Sequence, residues 1–393
     1  MWIMHNKDQG RVDHNAEWTT FATVMKACKT TNYSTLIKKR SNTKSWNATM
    51  LGEGSVDAGG PFRDSVTNIV EELHSKCLPL LIPSQNNKNN HGFNRDCWTI
   101  NPTSKSSTHL EMYEFLGALM GTAFMSGSVI DMKLPPIFWK TLIGEELTIA
   151  DLRGSDAYAV QTIEALIENK KNYTKEIFDE ATDLNFTTQL SNGDTVSLIE
   201  GGEERRVLYE DVEEYNQLVL KFRFSESDMQ IEKIKQGFNI IFPIDKVGIL
   251  SWKDIEARVR GPSEISVSDL KQMTTYCGYS KDSETIVRFW RVVEGFNQAQ
   301  KESLLKFISG RSRLPPKERQ QDAKFQIYSL SVRDGMEDQT FPQAHTCFYQ
   351  IDIPKYSTDE ICRDKLIMAS ELCGEIDTDN RPTGIANAGG NYE

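Results

Sequence analysis

At 393 residues the chain is longer than one hydrophobic core usually serves, so two or more domains are expected. Its hydrophobic fraction of 38% and charged fraction of 26% are those of an ordinary globular protein, and a net charge of −11 argues against a nucleic-acid-binding surface and favours basic partners.

From Glu17 to Thr35 the apolar residues Phe21, Val24, Met25 and Cys28 recur at helical spacing, ahead of a solvated basic run, Lys38-Lys39-Arg40. Trp46 to Leu51 alternates as a strand, and the glycines from Gly52 to Gly60 break it before a helix around Phe62 to Leu73. The asparagine-rich loop from Pro83 to Asn94 is expected to be exposed. The longest uncharged stretch, Phe115 to Ile130, is too short to span a membrane and reads as a buried helix. Helices are predicted over Glu111 to Ser126 and over Asp151 to Asn169, the second with Val160, Ile163, Leu166 and Ile167 along one side. Two alternating segments, Phe186 to Leu190 and Thr195 to Ile199, flank Asn192-Gly193, a hairpin signal, which marks a small α+β insertion at about 152–212. Helices follow over Glu213 to Phe224 and Glu226 to Phe238, then short helical pieces at Asp254 to Arg260 and Val267 to Tyr276. Glycine and small polar residues in Cys277-Gly278-Tyr279-Ser280-Lys281-Asp282 then predict an interdomain hinge at 278–283. Beyond it come helices at Glu284 to Gly295 and Gln298 to Ile308, a strand at Lys324 to Val332, a helix at Thr358 to Cys373 and a tail read as disordered from about 377.

The seven cysteines, at 28, 77, 97, 277, 347, 362 and 373, are dispersed. They lack the close pairing of a zinc site, so no metal or cofactor is expected, and they read as reduced thiols of a cytosolic or nuclear protein. No secretory signal opens the chain, and the sequons at Asn32, Asn47, Asn172 and Asn185 are then chance matches. The glycine run before Phe62 lacks the lysine and hydroxyl residue of a phosphate loop, so nucleotide binding is rejected.

Cys347 stands apart. It lies in Phe341-Pro342-Gln343-Ala344-His345-Thr346-Cys347-Phe348, followed by Ile351-Asp352-Ile353-Pro354, which places a thiol between two strand-like segments and two residues beyond a histidine. A thiol there can take an acyl group from another thiol in a nearly balanced exchange and release it downhill to an amine. His345 either assists by holding a thiolate or moving a proton, or orders the loop through a hydrogen bond. Asp352 is a surface charge or an orienter of an incoming lysine. A cysteine protease would need an orienting acid and a histidine supplied by the fold, and no protease signature accompanies the other histidines.

The His345-Thr346-Cys347-Phe348 run resembles the active-site segment of the HECT family of ubiquitin ligases. Further segments agree in order: Leu51-Gly52-Glu53-Gly54, Asp57 to Asp64, Phe115-Leu116-Gly117, Gly237-Phe238, Thr275-Tyr276, Phe289-Trp290 and Phe307 to Pro315. Asn94 to Cys97, Leu147 to Leu152 and Glu375 to Asp379 look most like the large HERC subgroup. The resemblance spans about 45–379 and implies an α+β, bilobal fold. An N-lobe over 1–277, with a small subdomain at about 152–212, would dock a ubiquitin-conjugating enzyme (E2), and a C-lobe over 284–393 would carry Cys347. The family sets this module at the C-terminal end of longer chains.

The resemblance further implies transfer of ubiquitin through a Cys347 thioester to a lysine of a protein substrate, with rotation about Gly278, Tyr279 and Ser280 between the two steps. Ile163, Leu166, Ile177 and Phe178 are the candidates for the groove that receives the conjugating enzyme. The chain departs from relatives at Asn169, where an aromatic is found, at Arg260, where cysteine is common, and at Ile376, near a C-terminal phenylalanine. A non-catalytic scaffold binding the conjugating enzyme or ubiquitin is the alternative.

Overall fold

The computed structural model describes residues 6–7, 9–31, 33, 60–126, 129–246, 248, 250–262, 264–309, 313–315, 324–346 and 349–372. The strand expected at Trp46 to Leu51, most of the glycine run, Cys347, Ile376 and the tail lie outside them. The chain divides into two compact units, Met1–Gly261 and Pro262–Glu393.

The first unit contains α1 (Thr20–Thr31), α2 (Gly60–Leu73), β1 (Leu81–Pro83), α3 (Gln85–Lys88), β2 (Trp98–Ile100) and α4 (Ser107–Ser126). It continues with α5 (Pro136–Ile143), α6 (Ile149–Arg153), α7 (Ala157–Asn172), α8 (Lys175–Ala181), β3 (Thr187–Gln189) and β4 (Thr195–Ser197). Helices α9 (Val212–Ser225), α10 (Asp228–Ile241) and α11 (Trp252–Arg260) complete it. Its centre is α4, buried around its whole girth from Met112 to Phe124, as its uncharged sequence requires. Helix α10 crosses α4 where two glycines face it: a Cβ on Gly117 would overlap the Ile234 carbonyl, and one on Gly237 the Glu114 carbonyl. Those two glycines are what let the backbones meet.

Buried carboxylates fix the N-terminal end of this unit. Asp13 accepts from the backbone N–H groups of Glu17, Trp18 and Thr19 at 2.6, 3.1 and 3.0 Å. Glu72 of α2, fully buried, accepts from Thr20 and Phe21 at 2.9 Å each and so caps α1 from outside its own helix. The helix expected over Asp151 to Asn169 is two helices, because Asp156 accepts from Ala159 N–H at 3.0 Å and starts α7 afresh. The loop expected to be exposed is in part a clasp. Asn86 is 1% exposed; its Nδ2 donates to the Phe93 and Arg153 carbonyls, at 2.9 Å each, and its Oδ1 accepts from Ala157 N–H at 2.7 Å. The predicted hairpin forms, with β3 antiparallel to β4 around Asn192-Gly193.

Arg260, the departure noted at the end of α11, is 4% exposed and structural in role. Its guanidinium reaches Asp131 at 3.2 and 3.0 Å and Glu256 at 2.7 Å.

The second unit holds α12 (Val267–Gln272), β5 (Thr274–Cys277), α13 (Glu284–Glu294), α14 (Gln298–Ser309), β6 (Phe325–Ser329), β7 (Gln343–His345), β8 (Gln350–Ile353) and α15 (Asp359–Leu372). The strand order is β5-β6-β8-β7; β5 and β8 run parallel to β6, and β7 is antiparallel to β8. Phe325, Ile327, Ile351 and Ile353 point into a core with Ile286, Phe289 and Trp290 of α13 and Leu366 of α15. The fold is α+β.

Two expectations need correction here. Thr274 to Cys277 is a strand rather than the end of a helix, paired in register with Phe325 to Tyr328. Consequently Cys277 and the expected hinge at 278–283 lie within the second unit, and the division falls at Gly261/Pro262. Tyr279 packs against the second core and donates from its hydroxyl to the Ile353 carbonyl at 2.9 Å. Gly278 has φ +77°, and a Cβ there would lie 2.7 Å from the Ser329 Cβ, so this segment is the fixed exit of β5.

Candidate active site

Strand alternation gives the second unit's sheet one apolar and one polar face. Gln343 and His345 of β7, Gln350 and Asp352 of β8, Gln326 and Tyr328 of β6, and Thr275 and Cys277 of β5 share the polar face. His345 pairs in register with Gln350, and residues 346–349 connect the two strands. Cys347 belongs to that connection and lies, with Phe348, outside the described residues. On its near side His345 is exposed, and its Nε2 sits 3.3 Å from Asp352 Oδ2. Gln350 donates to Asp352 Oδ1 at 2.6 Å.

The loop leading into β7 is held by residues that sequence reasoning missed. Asp338 accepts from Ser357 N–H and Oγ at 2.8 and 2.6 Å, which hold its carboxyl below the usual carboxylate range. The Tyr356 hydroxyl donates to the Thr340 carbonyl at 3.0 Å, and burial pushes this phenol upward. Lys365 of α15 donates to the Gln339 carbonyl at 3.0 Å and lies 4.1 Å from the Phe341 ring centroid. Three side chains from the Tyr356 to Lys365 stretch thus fasten residues 338–341. The contacts span 16 to 26 residues, so local patterning carries no trace of them.

The small subdomain, α7 to α9 with the β3–β4 hairpin, has its own core of Ile163, Leu166, Phe178, Phe186, Leu198, Val207, Val212, Tyr215 and Val219. Three of the four groove candidates are therefore core: Ile163, Leu166 and Phe178 are 2%, 6% and 0% exposed. Ile177 alone of the four is exposed, at 51%, as are Tyr158, Ile167, Tyr173 and Leu208 of the same subdomain. Helical spacing selects the inward stripe of an amphipathic helix, and a partner meets its flank. Among the described residues no cluster of three or more histidine, cysteine or acidic side chains is placed to hold a metal, and no helix is long and apolar enough to cross a membrane.

The two units, the separately cored subdomain and the His345 hairpin define a HECT architecture, and the family model described as "HECT-domain (ubiquitin-transferase)" matches residues 67–377: the chain belongs to this family. Among named relatives, E3 ubiquitin-protein ligase HERC2 of Mus musculus and of Homo sapiens are each 31% identical over 337 residues, covering 85% of this chain. E3 ubiquitin-protein ligase RSP5 of Chaetomium thermophilum is 28% identical over 330 residues, 81% of this chain and 38% of that protein. The chain spans 7% of the length of the HERC2 proteins.

Proposed function

We propose that this protein is an E3 ubiquitin ligase that accepts ubiquitin from a ubiquitin-conjugating enzyme as a thioester on Cys347 and passes it to a lysine of a protein substrate. The observation that carries the reading is the family match across both units, with the intact His345-Thr346-Cys347-Phe348 run on the β7–β8 connection. Thioester exchange between two cysteines is nearly isoenergetic, and aminolysis to the amide makes the second step downhill. The conjugating enzyme docks on the outer surface of the small subdomain, where Ile177 offers an exposed apolar anchor. Presenting Cys347 first to the conjugating enzyme and then to a substrate requires rotation about the Gly261/Pro262 link, in place of 278–283.

A single-turnover assay with ubiquitin-charged conjugating enzyme, resolved without reductant, tests this. A thiol-labile adduct is expected with the wild type and not with Cys347→Ala. Its absence in the wild type with several competent conjugating enzymes would favour a binding scaffold. Docking has its own contrast. Ile177→Lys should weaken transfer by at least tenfold through a raised Michaelis constant for the charged enzyme with little loss of stability, whereas Leu166→Ala should cost about 2–4 kcal/mol of folding stability. Equal Michaelis constants in Ile177→Lys and wild type would remove that residue from the interface.

A further inference from the structure

Asp352 is the carboxylate that the described strands place on the polar sheet face, and its side chain is only 17% exposed. A carboxylate so far withdrawn from water needs donors. It has one on each oxygen: Gln350 Nε2 on Oδ1 at 2.6 Å and His345 Nε2 on Oδ2 at 3.3 Å. The register brings these side chains within reach of one another, since Gln350 lies opposite His345 and Asp352 is its diagonal neighbour. Because an ionised carboxylate only accepts, Nε2 of His345 carries the hydrogen, and the neutral ring keeps its lone pair on Nδ1. The ring is 45% exposed. Of the elements packed on β7, β8 brings Asp352, and α14 carries Lys301, Glu302 and Lys306. Tyr328 and Cys277 are the further titratable groups of the same sheet face.

We propose that Asp352 is a positioning residue that holds His345 with Nδ1 free to take a proton from the lysine amine that attacks the ubiquitin thioester. The inference rests on the Cys347 reading above and assigns the base of its second step. The lysine ammonium first loses a proton to water. Its nitrogen then adds to the thioester carbonyl carbon, a C–N bond forms, and the proton released from nitrogen passes to His345 Nδ1. The C–S bond breaks, the electron pair leaves with the Cys347 sulfur, and the imidazolium returns its proton to that thiolate. Lysine ammonium and thioester thus become amide, thiol and one proton in solution. Asp352 stabilises the imidazolium while it exists and fixes the tautomer beforehand, as an orienting acid does for a catalytic histidine.

The test is a pulse-chase on the full chain. The ubiquitin adduct is formed in a single turnover from charged conjugating enzyme and then discharged with free lysine over neutral to alkaline pH. Wild type, Asp352→Asn and His345→Gln are compared, each with its thermal melting recorded. Both variants are expected to lower the ratio of discharge to loading roughly tenfold or more. A wild-type ratio in Asp352→Asn would overturn the proposal, as would an equal fall in loading and discharge, which is the signature of a structural role. Failure of the wild type to form any thiol-labile adduct would reject the ligase reading itself, before discharge is reached.

Discussion

His74 shows how a single side chain can be committed to one protonation state. Its Nε2 accepts from Lys133 N–H at 3.1 Å and its Nδ1 lies 2.9 Å from the Val70 carbonyl, so the ring is neutral with the hydrogen on Nδ1. Burial lowers its pKa from 6.5 to about 4. The unfolded chain therefore binds a proton that the folded chain refuses, and this contribution to stability, present above pH 6.5, is lost as pH falls toward 4. Its full size is on the order of 3 kcal/mol. Urea midpoints measured at neutral and mildly acidic pH should fall more steeply in wild type than in His74→Gln, and parallel curves would contradict the assignment. Asn86 makes a second case. Asn86→Ala leaves two carbonyls and one N–H without their buried partner and should cost about 2–3 kcal/mol in the same assay. Cys347 stands out as a candidate because its neighbours in sequence carry the signal. Asn86 does not, because one of its partners, Arg153, lies 67 residues away.

At the scale of elements, long periodic helices and the hairpin marked by Asn192-Gly193 were readable, and the short strand β5 was not. The helix expected at Glu284 to Gly295 is α13, and the strand at Lys324 to Val332 contains β6. Strand β5 offers only Thr274 to Cys277, too few residues for alternation to outweigh the preceding helix, and its partner strand begins at Phe325. That error moved the expected hinge, since the residues after a mistaken helix look like a linker. The Gly117 and Gly237 motifs, quoted from sequence only as family marks, have a physical cause in the α4–α10 crossing. Gly117→Ala must push the two helices apart and should destabilise the first unit by about 3 kcal/mol or more, read as a lowered melting temperature. An unchanged melting temperature would mean that the helices do not cross there as described.

Over the whole molecule, the family match and the division into two units carry the functional account. The hairpin that the sequence predicts around Asn192-Gly193 forms. The sequence did not locate the boundary between the units, because Arg260, Gly261 and Pro262 read locally as a helix end like many others, and only the packing on either side distinguishes them. The central claim is that the Cys347 side chain itself receives ubiquitin. Intact-mass analysis of Cys347→Ser after incubation with charged conjugating enzyme tests this most directly, because an oxygen ester outlives a thioester. The account predicts a gain of one ubiquitin less one water, resistant to thiols and removed by hydroxide. A ubiquitin adduct on this variant that thiols release would contradict it, since ubiquitin would then be carried by another cysteine.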